Sequence, residues 1–217
     1  MIGIPPAIGL RTFCSLDFQI EVETPLILML RPRSGEKQWV VRESYVVTPY
    51  VGVCEYSDIF GNLCQRLIAP CGEFSIQTTC EAMVSTEIES PLDSGFVEIH
   101  NLPEETLAFL LPSRYCESDR FGALALEIVA GAQPGYEQAE RIGRWVKNSI
   151  QYTPGSSNVP ISAAEVNTRQ EGVCRDLAHL GIALCRSICL PSRFVAGYLY
   201  GLHPMDLHAW YEVYVGG

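Results

Sequence analysis

The sequence holds no run of the ~18 consecutive apolar residues that a membrane-spanning helix requires. Its longest candidate, Pro25-Leu26-Ile27-Leu28-Met29-Leu30, is strand-sized. The first residues, Met1-Ile2-Gly3-Ile4-Pro5-Pro6, lack the cationic start and cleavage site of a secretory signal, so a cytoplasmic protein with no membrane partner is expected. No C-x-x-C pair occurs among the nine cysteines, which leaves a zinc site built from two close pairs without support. Basic residues are scarce: 15 Lys and Arg stand against 25 Asp and Glu, and the net charge of −10 disfavours a nucleic-acid partner. No Gly-rich phosphate loop and no D-x-D-x-D-G calcium loop is present, so no cofactor and no metal is expected.

What is present is enough for a sizeable core. The chain has 217 residues, 47% of them hydrophobic, and that length suggests about one to two domains. The charge is unevenly spread, with 6 basic and 15 acidic residues in 1–110 but 9 and 10 in 111–217. From about Phe18 to Glu87 the chain reads as short extended segments: Gln19–Glu23, Trp39-Val40-Val41, Tyr45-Val46-Val47 and Phe74–Thr79. Turn chemistry separates them at Pro32-Arg33-Ser34-Gly35, Thr48-Pro49, Gly61-Asn62 and Ala69-Pro70-Cys71-Gly72. This predicts a small β-sandwich-like domain over 1–100, followed by a connecting segment with Pro91, Pro103 and Pro112.

After Pro112 the period changes. Phe121–Ala132 is helix-like, and Tyr136–Ile150 spaces Ala139, Ile142, Trp145, Val146 and Ile150 as the stripe of an amphipathic helix. Ser162 and Glu165 have capping-box spacing. A further helical run from Cys174 to Cys189 stops at Pro191, and two strands follow, Arg193–Tyr200 and Leu207–Val215. Helices closing on antiparallel strands predict an α+β domain over 101–217.

Most of the nine thiols read as small buried hydrophobes. Cys174 is different because it falls in the first turn of its predicted helix. There, unpaired backbone N–H groups and the positive helix end favour a thiolate, with Arg175 as added positive charge. A thiolate is the form that attacks acyl carbon, and it needs an imidazole to move its proton. His100 lies in the connecting segment and His203 in a turn beside Pro204, whereas His179 is roughly 140° around the helix from Cys174. His208 sits in a strand with Trp210 and Glu212 on the same face, and a helix packed across that strand would bring it to Cys174. Spacing alone leaves many other Cys/His pairs open, including a zinc site from Cys174, His179 and His208.

Three ordered segments narrow the choice. Glu171-Gly172-Val173-Cys174-Arg175-Asp176-Leu177-Ala178-His179, Leu190-Pro191-Ser192-Arg193-Phe194-Val195-Ala196-Gly197-Tyr198 and Asp206-Leu207-His208-Ala209-Trp210-Tyr211-Glu212-Val213 together resemble the core of the bacterial transglutaminase-like superfamily. The N-terminal half is similar to the β-rich module that often precedes this core, through Leu30-Arg31-Pro32-Arg33, Gln38, Pro49 and Asp58-Ile59-Phe60-Gly61-Asn62. Leu111-Pro112-Ser113-Arg114-Tyr115-Cys116 suits the junction between them.

The resemblance implies a papain-like α+β core with a Cys–His–Asp triad, in which Cys174 matches the nucleophile and His208 the base. The family's third member stands on a later strand, so an Asp is expected beyond Gly217 in a longer gene product, with Asp206 a weak substitute. The implied enzyme acts on amide bonds of peptides or proteins through a Cys-thioester, as a cysteine peptidase or amidase or as a transglutaminase-type acyltransferase; hydrolysis is preferred to cross-linking because water is always present and no amine pocket is legible. The Cys174 backbone N–H would serve the oxyanion, with Tyr152 a speculative second donor that reads more simply as a packing residue. Asp176, Arg193 and Trp210 are read as structural. The competing reading is a catalytically silent binding module that keeps the fold.

Overall fold

Alternation of inward apolar and outward polar residues produces the strands of the first half, and the computed structural model shows where they pair. It describes residues 7–86, 94–203 and 205–216; the Met1–Pro6 start, Pro91 of the connecting segment and Pro204 of the turn lie outside them. The chain divides into two compact units, 1–89 and 90–217. The first holds β1 (Ala7–Ile20), β2 (Thr24–Leu28), β3 (Gln38–Thr48), β4 (Cys54–Ser57), β5 (Leu63–Ala69) and β6 (Gly72–Ser85). All pairings are antiparallel, in two three-stranded sheets ordered β1-β6-β3 and β2-β5-β4. Phe74 and Ile76 of β6 and Ile20 of β1 pack with Leu67 and Ala69 of β5, flanked by Leu26, Leu28, Tyr45 and Val47. The first unit is thus a small β-sandwich.

Two details depart from the sequence expectation. Of the extended segment predicted at Gln19–Glu23 only Gln19 and Ile20 are strand, as the end of a longer strand that begins at Ala7. Residues 7–17 face inward with Leu10, Thr12, Cys14 and Leu16, a weakly apolar series whose period is faint in sequence. Trp39–Val41 and Tyr45–Val47 form one strand, with a register irregularity between Val40 and Arg42. The polar motif residues of this unit tie its loops together. Arg31 binds the carboxylates of Glu43 and Glu55, Arg33 donates to the Gly61 carbonyl, and the Asp58 carboxylate accepts the Phe60 and Asn62 N–H groups at 2.8 Å.

The second unit holds α1 (Glu104–Leu107), α2 (Gly122–Ile128), α3 (Tyr136–Ser149), β7 (Gln151–Tyr152), α4 (Ala163–Arg169), β8 (Glu171–Gly172), α5 (Cys174–Ser187), β9 (Ser192–Tyr198) and β10 (Leu207–Val213). The Ser162 hydroxyl caps α4 by accepting the Glu165 N–H at 3.4 Å. The Glu165 side chain pairs with Arg169 instead, so only half of the expected capping box forms. No helix among the described residues is long and apolar enough to cross a membrane.

Helix α5 organises this unit. The sequence predicts one buried face, yet Ala178 through Cys185 are buried in unbroken succession. A helix apolar all round belongs in the middle of a core, and here α2, α3 and α4 pack on it together with the β9–β10 hairpin. Small residues permit the approach. A Cβ on Gly181 would stand 2.3 Å from Cε1 of Tyr211, which projects from β10, whereas one on Gly143 of α3 would meet the Tyr211 hydroxyl at an ordinary 3.4 Å. The Tyr211 ring therefore occupies a notch in α5 that only glycine leaves open.

Substituting Gly181→Ala is expected to destabilise the protein by about 1–3 kcal/mol through overpacking, despite alanine's better helix propensity. Gly143→Ala, without that clash, should be neutral or slightly stabilising. Urea unfolding of both variants checks the contrast; equal midpoints would show that the notch is not filled.

Candidate active site

The entry to α5 is built from a very short parallel ladder. Gln151 and Tyr152 of β7 pair with Glu171 and Gly172 of β8, sealed by Gln151 N–H to the Gln170 carbonyl at 2.8 Å and Thr153 N–H to the Gly172 carbonyl at 3.0 Å. Gly172 is needed for space rather than for a sharp turn, because a Cβ there would stand 2.9 Å from the Asp176 Cβ. The helix begins at Cys174, and its first ladder bonds run from the Asp176 and Leu177 N–H groups to the Val173 carbonyl. The Cys174 amide precedes that ladder, as first-turn amides do. The thiol is half-buried.

Fully buried Asp176 fixes this turn. Its carboxylate accepts the Val173 N–H at 3.1 Å and the Ser157 hydroxyl, and pairs with Arg175 Nε at 3.1 Å. The Arg175 guanidinium also donates to the Ser157 and Val159 carbonyls at 3.3 and 3.1 Å. The expectation that Arg175 adds positive charge for the thiol is therefore corrected: its guanidinium serves Asp176 and the 157–159 loop. Its attraction to a buried carboxylate and to loop carbonyls outweighs any pull toward a half-exposed thiol.

Cys174 and His208 line one cavity of about 670 Å³. Leu177 and Ala178 of α5, Gly143, Val146 and Lys147 of α3, Tyr152, and Ala209 to Tyr211 of β10 complete most of its wall. His208 reaches it differently from the sequence expectation. Ala209, Tyr211 and Val213 form the side of β10 that is buried on α5, so His208, Trp210 and Glu212 share the alternate side. The reason is fit: Ala209 is small and Tyr211 fills the Gly181 notch. His208 stands opposite Gly197 in the hairpin, and the Trp210 ring covers that glycine, whose Cβ would meet Cη2 at 3.2 Å.

The other candidates lie elsewhere. His179 is buried, its ring stacked on Tyr115 at 5.2 Å and tilted against Phe194 at 5.4 Å, with Nδ1 3.4 Å from the Ile161 carbonyl. Cys174, His179 and His208 are not gathered around one point, and among the described residues no group of three His, Cys, Asp or Glu side chains is arranged to hold a metal ion. The Asp206 carboxylate accepts its neighbour's N–H, Leu207, at 2.7 Å. Cys185 is fully buried, and burial pushes its thiol up to about 12. Arg193 pairs across the hairpin with Glu212 at 2.7 Å. One cavity residue carried little signal in sequence: Lys147 flanks the apolar stripe of α3 as a solvated charge would. Tyr152, a candidate donor in the sequence reading, reaches the wall through its ladder to Gly172.

The family model of the Transglutaminase-like superfamily matches residues 122–217. The crystal structure of a putative cysteine protease from Cytophaga hutchinsonii is similar at 33% identity and a TM-score of 0.93, over 98% of this chain and 74% of that one. An uncharacterized protein of Mycobacterium leprae is 25% identical over 201 residues, spanning 87% of this chain and 72% of that protein.

The buried imidazole has a consequence for acid stability. Burial lowers the pKa of His179 below the ordinary value, against smaller opposing effects of the Ile161 carbonyl and Asp176. The unfolded chain takes up this proton near pH ~6.5 while the folded chain resists it, so stability is full above that point and falls on acidification, by at most about 1.4 kcal/mol per pH unit. The carboxylates of Asp58, Glu117 and Glu137 are held low and titrate below this window. Urea midpoints between about pH 7 and 5.5 should fall in the wild type and less steeply in His179→Phe; parallel slopes refute the assignment.

Proposed function

The chain belongs to the transglutaminase-like superfamily, and from that premise we propose that it is a thiol enzyme acting on amide bonds of peptides or proteins, with Cys174 as nucleophile and His208 as base. The observation that carries the proposal is the shared cavity: the first-turn cysteine of α5 and the β10 histidine line the same wall. Cys174 Sγ attacks the carbonyl carbon, and the carbonyl electron pair moves onto oxygen. The Cys174 N–H, free of the helix ladder, faces that oxyanion, and the Tyr152 hydroxyl is the second donor. The proton that His208 took from the thiol passes to the amide nitrogen, the C–N bond breaks, and an amine leaves a thioester behind. Water then gives up a proton to His208, attacks the thioester, and regenerates the thiol with release of the acid.

Hydrolysis is favoured over cross-linking because water reaches an open cavity without a dedicated site, whereas a lysine donor would need one. The chemistry belongs to the 101–217 domain, and the β-rich domain before it has no step in this scheme. The reading places the enzyme in a reducing, cytoplasmic setting, where its catalytic thiol stays reduced.

Cys174→Ala should lower hydrolysis of N-acetylated peptide p-nitroanilides at least about 1,000-fold while leaving the circular dichroism spectrum unchanged. Mass spectrometry of the wild type, quenched during turnover, should find an acyl group on Cys174 that hydroxylamine removes. Turnover retained in Cys174→Ala, or acylation at another cysteine, refutes the assignment. A chain with no turnover and no adduct would be the silent binding module.

A further inference from the structure

The cationic residues of the second unit are used up internally, with one exception. Of its eight arginines, six pair with carboxylates, at Glu117, Glu137, Glu140, Glu165, Asp176 and Glu212. Arg186 donates to the Leu111 and Ser192 carbonyls, and Arg114 lies over the Tyr115 ring at 5.6 Å. The ninth cation is Lys147, the one lysine of residues 90–217. It is exposed, among the described residues its ammonium has no ion pair or hydrogen bond, and it lines the cavity that holds Cys174 and His208. The rest of that wall is dominated by Trp210, Tyr211, Leu177 and Val146. An unpartnered ammonium beside an aromatic and aliphatic wall suits a ligand with an apolar side chain and an anionic group close to it.

Resting on the reading of Cys174 as nucleophile, we propose that Lys147 is a specificity-determining residue that binds a carboxylate of the peptide substrate next to the amide bond being cleaved. Lys147 is exposed where it lines the cavity, so its ammonium donates to the carboxylate as a charge-assisted hydrogen bond at the edge of the apolar wall. The apolar wall takes the adjoining side chain. A carboxylate next to the bond can come from an acidic side chain or from the chain terminus, and matched peptides separate the two.

The test uses the full chain carrying Cys174→Ala, so that binding is read without turnover. Calorimetric titration compares N-acetyl-Leu-Gln-Phe-amide with its Glu counterpart, N-acetyl-Leu-Glu-Phe-amide, and with its free acid, N-acetyl-Leu-Gln-Phe. At least one acid should bind about two- to fivefold more tightly than the neutral amide, and which one does so identifies the source of the carboxylate. Adding Lys147→Gln should bring the ratio to about one, and Lys147→Arg should preserve it. Equal affinities, a preference that survives Lys147→Gln, or no saturable binding of any peptide overturns the proposal. Wild-type protein with the same peptides keeps the two claims apart. Carboxylate-dependent binding without cleavage refutes the acyl chemistry alone, and cleavage without carboxylate preference refutes the Lys147 role alone.

Discussion

The contact between the Tyr211 ring and the backbone of α5 at Gly181 is the constraint on which the second unit depends. Helix and strand can lie this close because Gly181 supplies no Cβ at the crossing, and the Tyr211 ring takes the place that a side chain would fill. The phenol is largely removed from water, and burial raises its pKa well above the ordinary tyrosine value. Since Tyr211 is three residues from His208 and Gly181 seven from Cys174, one packing contact sets how far β10 stands from the start of α5. Protein interiors behave as close-packed solids, so a displacement there passes to both ends of the cavity.

A second set of interactions holds the helix tip itself. The fully buried Asp176 carboxylate has three donors, from Val173, Ser157 and Arg175. A buried charge is tolerable only when its partners are this complete. The network draws the loop at 157–159 onto the first turn and leaves the opposite side of that turn, where Cys174 stands, to the cavity. The polar groups of the tip thus divide into those that are saturated and hold position, and the sulfur, which is left accessible.

Much of this was legible in the sequence, for identifiable reasons. Helix α3 announced itself by Ile142, Val146 and Ile150 at helical spacing, and the sandwich by β-branched segments separated by turn residues. The motif segments around Cys174 and His208 led to two residues that do line one cavity. Other features rest on distances that no local pattern encodes. The roles of Gly172 and Gly181 are matters of space between elements, and a two-residue strand such as β7 has no period to detect. The side of β10 that meets α5 was misread because His208, Trp210 and Glu212 alternate as regularly as Ala209, Tyr211 and Val213. Only the Gly181 notch chooses between the two sets. Arg175 looked like a neighbour for the thiol because adjacency in sequence says nothing about where a long side chain finds its acceptors.

The ladder between β7 and β8 closes the excursion of residues 153–170, including α4, at both ends. Closing a flexible loop costs only about 0.6 kcal/mol more for each doubling of its length. The exposed turn at Pro154 and Gly155 can therefore gain or lose residues during evolution at small thermodynamic penalty, whereas Arg175 grips 157–159 and Ile161, Ala163 and Val166 are buried in the core. Variation in length would accumulate at that turn among descendants of the same ancestor, while the two-residue clamp itself tolerates none.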